Sequence, residues 1–227
     1  MKALIYKELK LAMHPICYIF IALFPFMILI PSYPLGIGFI YILSCYPILF
    51  LGANKGQQSN DLLYSTLLPV RKKDIVMARI ITVILMQVAF ISIMSALYPL
   101  ARYINTTIAS QAEKPEEYTI PGLSLNSYVL LLAIAIIGYA VADLIFFPIY
   151  YKNGKSIVKS TLFTILGFVA YIGIFTIALP YIPGLGFLNT LHIGIQFGIL
   201  GGAILLSVLL HLVVYKASSK RLENVDF

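Results

Sequence analysis

Long apolar blocks follow one another along the chain, and they constrain its fold more than any other feature. A helix that crosses a bilayer needs about 20 mostly apolar residues, and these blocks are too long and alternate too little to be the strands of a membrane barrel. Hydrophobic residues make up 60% of the 227 residues and charged residues 11%, so a water-soluble globule of this length could not hide its apolar surface. The sequence therefore predicts an all-α membrane protein with one transmembrane domain over residues 1–227.

Six blocks have the length of a membrane span. Their approximate limits are residues 15–31, 36–53, 75–100, 124–150, 160–181 and 191–215. Pro25 and Pro47 lie inside the first two blocks, and a proline inside a helix removes a backbone hydrogen bond and bends the helix. We therefore expect six transmembrane helices, of which the first two are bent.

The basic residues mark the ends of the blocks and predict the orientation of the chain. With the N-terminus in the cytoplasm, all but Arg102 and Lys114 of the 16 Lys and Arg residues lie on the cytoplasmic side. The positive-inside rule produces this asymmetry in a chain with an even number of spans. It predicts a multi-pass protein of the plasma membrane, with both termini cytoplasmic and residues 102–123 as an extracellular loop. The net charge of +7 then indicates contact with membrane lipids and not with nucleic acid.

Residues 1–14 predict a helix that lies along the membrane surface. Its apolar residues recur at helical spacing and share one face, namely Leu4, Ile5, Leu9 and Met13. Lysines occupy the other face, and such an amphipathic helix binds at the level of the lipid headgroups. The alternative is a frayed, positively charged start to the first span.

Residues 54–79 form a polar stretch between the second and third blocks, and they predict a contact with a soluble partner. Ser59 or Asn60 can cap a short helix, and Asp61 favours the positive N-terminal end of that helix. The apolar surface of this helix would be formed by Leu62, Leu63, Thr66 and Leu67. An exposed amphipathic helix flanked by charges suits docking in the groove of a partner.

The segment LLYSTLLPVRKKDIVMARII, residues 62–81, resembles the intracellular loop of small ABC-2 type exporter permeases. Those permeases have a short helix, a Leu-Pro, a small or β-branched residue, Arg-Lys, an acidic residue, Ile-Val and then a basic residue. The matching positions are Leu68, Pro69, Val70, Arg71, Lys72, Asp74, Ile75, Val76 and Arg79. The family commonly has a serine between positions 70 and 71, which this chain lacks.

The resemblance implies a six-span permease of the ABC-2, or type V exporter-like, fold, similar to bacterial exporter permeases for peptides such as phenol-soluble modulins. Residues 1–14 would be its elbow helix, and residues 54–74 its cytoplasmic coupling region, docked on an ATP-binding cassette subunit. A second permease subunit, the same or paralogous, would complete the transporter. ATP and Mg would be bound by the partner ATPase, so this chain would be no enzyme and would hold no cofactor.

The predicted coupling contact has an alternative, a solvated connector with orientation charges, which needs neither this length nor an apolar face. No ATPase motif is complete in the chain itself. Gly154, Lys155 and Ser156 match the end of a P-loop, but the first glycine of that motif would fall at Ile149. No catalytic or metal-binding set is visible either. The residues assigned to coupling are Ser59, Asp61, Leu62, Leu63, Thr66, Leu67, Pro69, Arg71 and Lys72.

Asp143 is the only acidic residue inside an apolar block. Its insertion costs about 2.5 to 3.5 kcal/mol at the centre of a span, so it should face the interior of the bundle or a wet cavity. It is either part of a transport path or proton relay, or a structural polar contact. Gln87 is a candidate for the same path, and it, Gln196, His192 and His211 are otherwise expected to make interhelical hydrogen bonds.

Gly194, Gly198 and Gly202 recur every four residues in the sixth block. Small residues at this spacing let two helices approach closely. The motif does not identify the neighbouring helix, so it predicts either packing within the chain or an interface between two permeases.

We expect from these features an ATP-driven permease that moves amphipathic peptides or lipid-like molecules out of the cell. A secondary transporter driven by an ion gradient would have several intramembrane acids or paired broken helices, whereas this chain offers Asp143. An intramembrane enzyme would need a clustered nucleophile and base or a metal set. A peptide-immunity protein that acts by binding alone is the remaining alternative.

Overall fold

The structure is a computed structural model that describes residues 2–12, 15–29, 69–111, 124–153, 157–181 and 192–224. The second predicted span, most of the coupling region and residues 112–123 lie outside the described residues. Every described element is a helix, which confirms the predicted all-α class. The helices are α1 (Lys2–Lys7), α2 (Pro15–Leu23), α3 (Lys72–Gln111), α4 (Leu125–Asn153), α5 (Ile157–Tyr181) and α6 (Ile193–Glu223).

Three of the described helices contain a stretch that is long and apolar enough to cross a membrane. These stretches are Lys72–Ile108, Tyr128–Lys152 and Ile193–Glu223. A fourth span results if the N-terminal segments on either side of a bend are taken as one. The chain is therefore a multi-pass membrane protein, and the predicted total of six spans stays a prediction.

The N-terminal region is sharply bent. α1 continues as a π-helical turn over Glu8–Ala12, and α2 continues as a 3₁₀-helix over Phe24–Leu29. The two segments make an angle of 85°. The change to 3₁₀ geometry at Phe24 comes one residue before Pro25, whose ring cannot donate a backbone hydrogen bond. A right-angled entry agrees with a surface helix that leads into a span, although the elbow role itself stays a prediction.

α3 is longer than the sequence predicts. It has 40 residues and so a length of ~60 Å, about twice the thickness of the hydrocarbon core. The predicted extracellular loop began at residue 102, but the helix continues to Gln111. The hydroxyl groups of Thr106, Thr107 and Ser110 donate to carbonyl groups one turn earlier. These polar residues are thereby accommodated in helical geometry instead of ending the helix.

α4 is the central helix of the described bundle. It packs against both α5 and α6, whereas α3 packs against α6, α1 and the α2 segment. Contacts between α3 and α4 run through side chains, for example the stacked rings of Tyr98 and Tyr128, whose centroids lie 4.2 Å apart. α4 therefore presents its side chains to three neighbouring helices, and polar residues on it meet partners from α3 and α6.

Candidate functional site

Two polar clusters lie inside the described part of the bundle, and the first joins the π-helical turn after α1 to α3 and α4. Arg79 on α3 has only 1% of its surface exposed. Its Nε donates to Glu8 Oε2 over 3.0 Å, and its Nη1 donates to the hydroxyl of Tyr150 over 2.8 Å. Lys7 lies 3.5 Å from the other carboxylate oxygen of Glu8. Glu8, Arg79 and Tyr150 are called the arginine cluster below.

Burial explains why the arginine cluster has this composition. An arginine and a glutamate that are both removed from water lose several kcal/mol of hydration each, about the amount that a good ion pair with additional hydrogen bonds restores. Glu8 is 4% exposed and Tyr150 is also 4% exposed, so each partner depends on the others. The pair consequently favours one arrangement of the N-terminal segment on α3 and α4.

Two further contacts hold the same end of the bundle. Lys73 Nζ lies 3.2 Å from a carboxylate oxygen of Glu223, which connects the start of α3 to the end of α6. Arg221 on α6 donates to the carbonyl group of Pro148 on α4. Together with the arginine cluster, these contacts hold the start of α3 beside the ends of α4 and α6 and beside the N-terminal segment.

The coupling residues that the structure describes lie where α3 begins. Pro69 and Arg71 are exposed, and Lys72 is the first residue of the helix. The carbonyl group of Arg71 accepts from the N–H groups of Asp74 and Ile75, so Arg71 caps the helix even without the serine found in the resembled family. The other coupling residues, Ser59, Asp61, Leu62, Leu63, Thr66 and Leu67, lie outside the described residues.

The second cluster joins α3, α4 and α6 in the apolar part of the bundle. Asp143 is fully buried. Its Oδ2 accepts a hydrogen bond from Gln87 Nε2 over 3.0 Å and lies 3.0 Å from His211 Nε2. Three helices thus contribute one residue each, and Gln87, Asp143 and His211 are called the Asp143 triad below.

The contacts of His211 indicate where the protons of the triad lie. Its Nδ1 lies 2.7 Å from the carbonyl oxygen of Ser207, and because a carbonyl can only accept, Nδ1 carries a proton. Nε2 therefore has a lone pair in the neutral ring, and its contact with Asp143 needs a second proton between the two. That proton resides on the imidazole as an ion pair or on the carboxyl group as a neutral pair. In both cases the net charge of the pair is zero.

A cavity of about 470 Å³ adjoins the triad. Gln87 and His211 line it directly, together with Ser92 and Ser207, whereas Asp143 lies behind them. Its rim lies at the side of the bundle, where Val88, Val208 and Leu212 are each about half exposed. The remaining wall is aliphatic and aromatic, and such a cavity with a few converging polar groups is the usual form of a small-molecule site. Its walls include Ile84, Ile91, Ile136, Tyr139, Ile204 and Tyr215.

The glycine row lies on an open face of α6. A Cβ atom built on Gly198 or Gly202 would meet no described atom within 4 Å. Gly194 instead lies at the start of the helix, where its N–H donates to Nδ1 of the capping residue His192. Close packing of this row within the chain is thus not seen among the described residues, and an interface between permeases stays a prediction.

Sequence reasoning identified Asp143 and Gln87 as candidates, and the structure brings the two together. It did not identify His211 as their partner, because 68 residues separate His211 from Asp143 and only the packing of α4 on α6 sets the register. It also missed the pairing of Glu8 with Arg79. A usable signal existed there, since an arginine inside an apolar stretch needs an acid, and Glu8 is the only acidic residue before Asp61.

Comparison with known protein families identifies the family to which the chain is similar. The family described as ABC-2 family transporter protein matches residues 3–219, nearly the whole chain. No curated protein and no solved structure matches the chain.

Proposed function

The chain belongs to the ABC-2 family of transporter proteins, and we propose that it is the membrane-spanning permease subunit of an ATP-driven exporter. The observation that carries this proposal is the family match over residues 3–219 of a chain with apolar, membrane-spanning helices. Permeases of this family are transport components and are not themselves catalytic. Membership implies association with an ATP-binding cassette subunit.

The described contacts support a route from such a subunit into the membrane. The coupling region, residues 54–74, runs directly into α3. Two turns into α3, Arg79 is bonded to Glu8 and Tyr150. A displacement of the coupling region would consequently move α3 together with the N-terminal segment and α4, because breaking the arginine cluster would leave charges buried without partners.

We infer the following cycle from this linkage. Two permeases, identical or paralogous, pair with two ATP-binding subunits that hold ATP and Mg. Closure of those subunits on ATP presses on the predicted coupling helix around Ser59 to Leu67, and the difference in affinity for ATP between the two conformations shifts the permease from an inward-facing to an outward-facing state. The cavity beside the Asp143 triad, called the lateral cavity below, has an apolar wall and a polar inner end. This composition suits amphipathic peptides or lipid-like molecules as the cargo.

The coupling proposal is tested by changing the apolar face of the predicted coupling helix. The triple variant Leu62→Ser, Leu63→Ser, Leu67→Ser should lose an ATP-binding subunit that copurifies with the wild-type chain, and should lose ATP-dependent transport. The matched control is Gln57→Ser with Gln58→Ser, which lies in the same stretch and removes no apolar surface. If the triple variant retains both the ATPase and transport, the coupling assignment is wrong.

A secondary transporter driven by an ion gradient is the second candidate, and the Asp143 triad favours it. A buried acid paired with histidine inside a span is the type of group that carries protons in such transporters. The two functions separate in sealed vesicles that contain the chain and its copurifying proteins. Uptake that follows ATP supports the permease, whereas uptake that follows an imposed pH gradient without ATP supports the secondary transporter.

A further inference from the structure

The Asp143 triad places a carboxylate directly behind the wall of the lateral cavity. Gln87 and His211 form that wall, and each lies 3.0 Å from Asp143 Oδ2. The His211 side chain is 12% exposed, whereas that of Asp143 is fully buried. A rotation of His211 away from Asp143 would therefore open the carboxylate to the cavity, while Gln87 could continue to donate to it.

Charge balance decides which ligand can replace His211. A cation that pairs with the Asp143 carboxylate leaves His211 neutral, so the site stays uncharged and releases one proton. An anion that pairs with a protonated His211 leaves Asp143 buried and charged unless the carboxylate takes up a proton. Imidazole in water loses its proton above about pH 6.5, whereas a carboxylate takes one up only below about pH 3.9. At neutral pH the exchange with a cation is therefore the easier of the two.

Among the described helices around this exchange, the nearest other charge along a helix is Lys216 on α6, five positions after His211 or ~8 Å along the helix. Tyr139 on α4 and Tyr215 on α6 also line the cavity. On α3 the nearest charged residue is Arg79, eight positions before Gln87 or ~12 Å along the helix, and Glu8 neutralises it. α5 has no Asp, Glu, Lys, Arg or His from residue 160 to 181, and residues 15–29 of the α2 segment contain only Cys17 and Tyr18 as titratable groups.

We propose that the lateral cavity binds a cationic amphiphile, with its apolar chain against α3 and α6 and its cationic head at Asp143, in exchange for the proton held between Asp143 and His211. The half-exposed rim at Val88, Val208 and Leu212 admits the chain from the lipid side. This inference rests on the proposed function, because it names the cargo class of the same permease. Binding itself needs neither ATP nor a partner subunit.

The test uses the full-length chain in lipid nanodiscs and three probes with the same chain: dodecyltrimethylammonium, dodecanol and dodecyl sulfate. Dodecyltrimethylammonium keeps its charge at every pH, so any pH dependence reports the protein. Because one proton leaves for each cation bound, affinity should rise with pH by up to about tenfold per pH unit, wherever the free site holds the proton and the occupied site does not. Calorimetry in buffers of different ionisation enthalpy should show release of about one proton, and empty nanodiscs correct for partition into lipid.

Three variants separate the site from its surroundings. Asp143→Asn should weaken dodecyltrimethylammonium binding at least about tenfold and remove its advantage over dodecanol. His211→Gln keeps the carboxyl group but removes the imidazole that shares its proton, so cation binding should persist with a pH dependence that differs from that of the wild-type chain. Ser92→Phe narrows the cavity at a lining residue outside the triad, so it should weaken the binding of all three probes while the pH dependence for the cation is kept.

The opposite results would overturn the proposal. These are an affinity of the wild-type chain that does not change with pH, proton uptake on binding, tighter binding of dodecyl sulfate than of the cation, or wild-type affinity in Asp143→Asn. If Asp143→Asn does not fold, His211→Gln decides: cation binding with the same pH dependence as in the wild-type chain, in slope and in pH range, would exclude the exchange between Asp143 and His211. Loss of ATP-driven export with binding intact would contradict the proposed function and leave this site standing.

Discussion

Arg79 shows how a single buried residue can hold several helices together. Its guanidinium group bonds to the π-helical turn after α1 and to α4 at the same time, and its charge is nearly excluded from water. An ion pair buried in this way adds little net stability but makes every arrangement without it costly. Arg79 therefore specifies where the N-terminal segment lies more than it strengthens the bundle.

Replacement of Arg79 by Met is expected to destabilise the fold by about 3 to 5 kcal/mol, because Glu8 is then left buried and charged. Addition of Glu8→Gln to this variant should recover part of that loss, since the orphaned charge is removed. The measurement is thermal unfolding in detergent, arranged as a double-mutant cycle.

The matched control for this cycle is the pair of Lys73 and Glu223 at the same end of the bundle. These side chains are 53% and 46% exposed, so Lys73→Met should cost no more than about 1 kcal/mol. Equal losses of stability in Arg79→Met and Lys73→Met would show that the buried pair of Arg79 and Glu8 matters no more to the fold than an exposed pair.

At the scale of helices, α4 and α5 meet at a point that only glycine allows. A Cβ atom on Gly138 would lie 2.8 Å from a ring carbon of Phe168 and 2.9 Å from one of Tyr171. Tyr171 is held in turn by a hydrogen bond from its hydroxyl to the carbonyl group of Ile134. The rings therefore have little freedom to move away from an added methyl group.

Gly138→Ala should destabilise the fold by about 1 to 3 kcal/mol through overpacking of this contact. Gly202→Ala makes the same chemical change on α6, where an added Cβ meets no described atom within 4 Å, and should cause no loss. Unfolding midpoints of the two variants compare the sites directly. If Gly138→Ala is as stable as the wild-type chain, the close approach of α4 and α5 is wrong.

The existence of the helices could be predicted from the sequence more readily than their ends or partners. The apolar blocks predicted α3, α4, α5 and α6 because length and composition suffice to identify a span. α3 ends about three turns beyond the predicted end of the third block at residue 100, since polar residues such as Thr106 can bond to their own helix. To predict the Asp143 triad, one would need to know how α4 and α6 are rotated about their own axes. Both helices are apolar on nearly every face, so the sequence pattern does not reveal that rotation.

At the scale of the whole molecule, the structure constrains which ends of the helices share one side of the membrane. The contact between Lys73 and Glu223 places the start of α3 beside the end of α6. Arg79 brings the N-terminal segment to the same end. The sequence assigns this end to the cytoplasm through the positive-inside rule, and that assignment is open to a direct test.

Single cysteines at Lys72 and Glu116, in a chain without Cys17 and Cys45, should differ in their labelling by a membrane-impermeant maleimide. In intact cells we expect Glu116→Cys to react and Lys72→Cys to react only after permeabilisation. Glu223→Cys is the structural control and should behave like Lys72→Cys. Labelling of Lys72→Cys and Glu116→Cys from the same side would contradict the six-span topology.

The arginine cluster also has a consequence for how the protein is made. The ribosome adds Glu8 71 residues before Arg79, which at about 5 to 20 residues per second is a delay of roughly 4 to 14 s. During that interval the glutamate has no arginine to neutralise it, so the start of the chain must wait in the aqueous boundary of the membrane. It can settle only once α3 has been inserted. A chain truncated before Arg79 keeps the contact between Lys7 and Glu8 but lacks the guanidinium group that fixes Glu8 against α3, so the N-terminal segment takes its final place only after α3 is made.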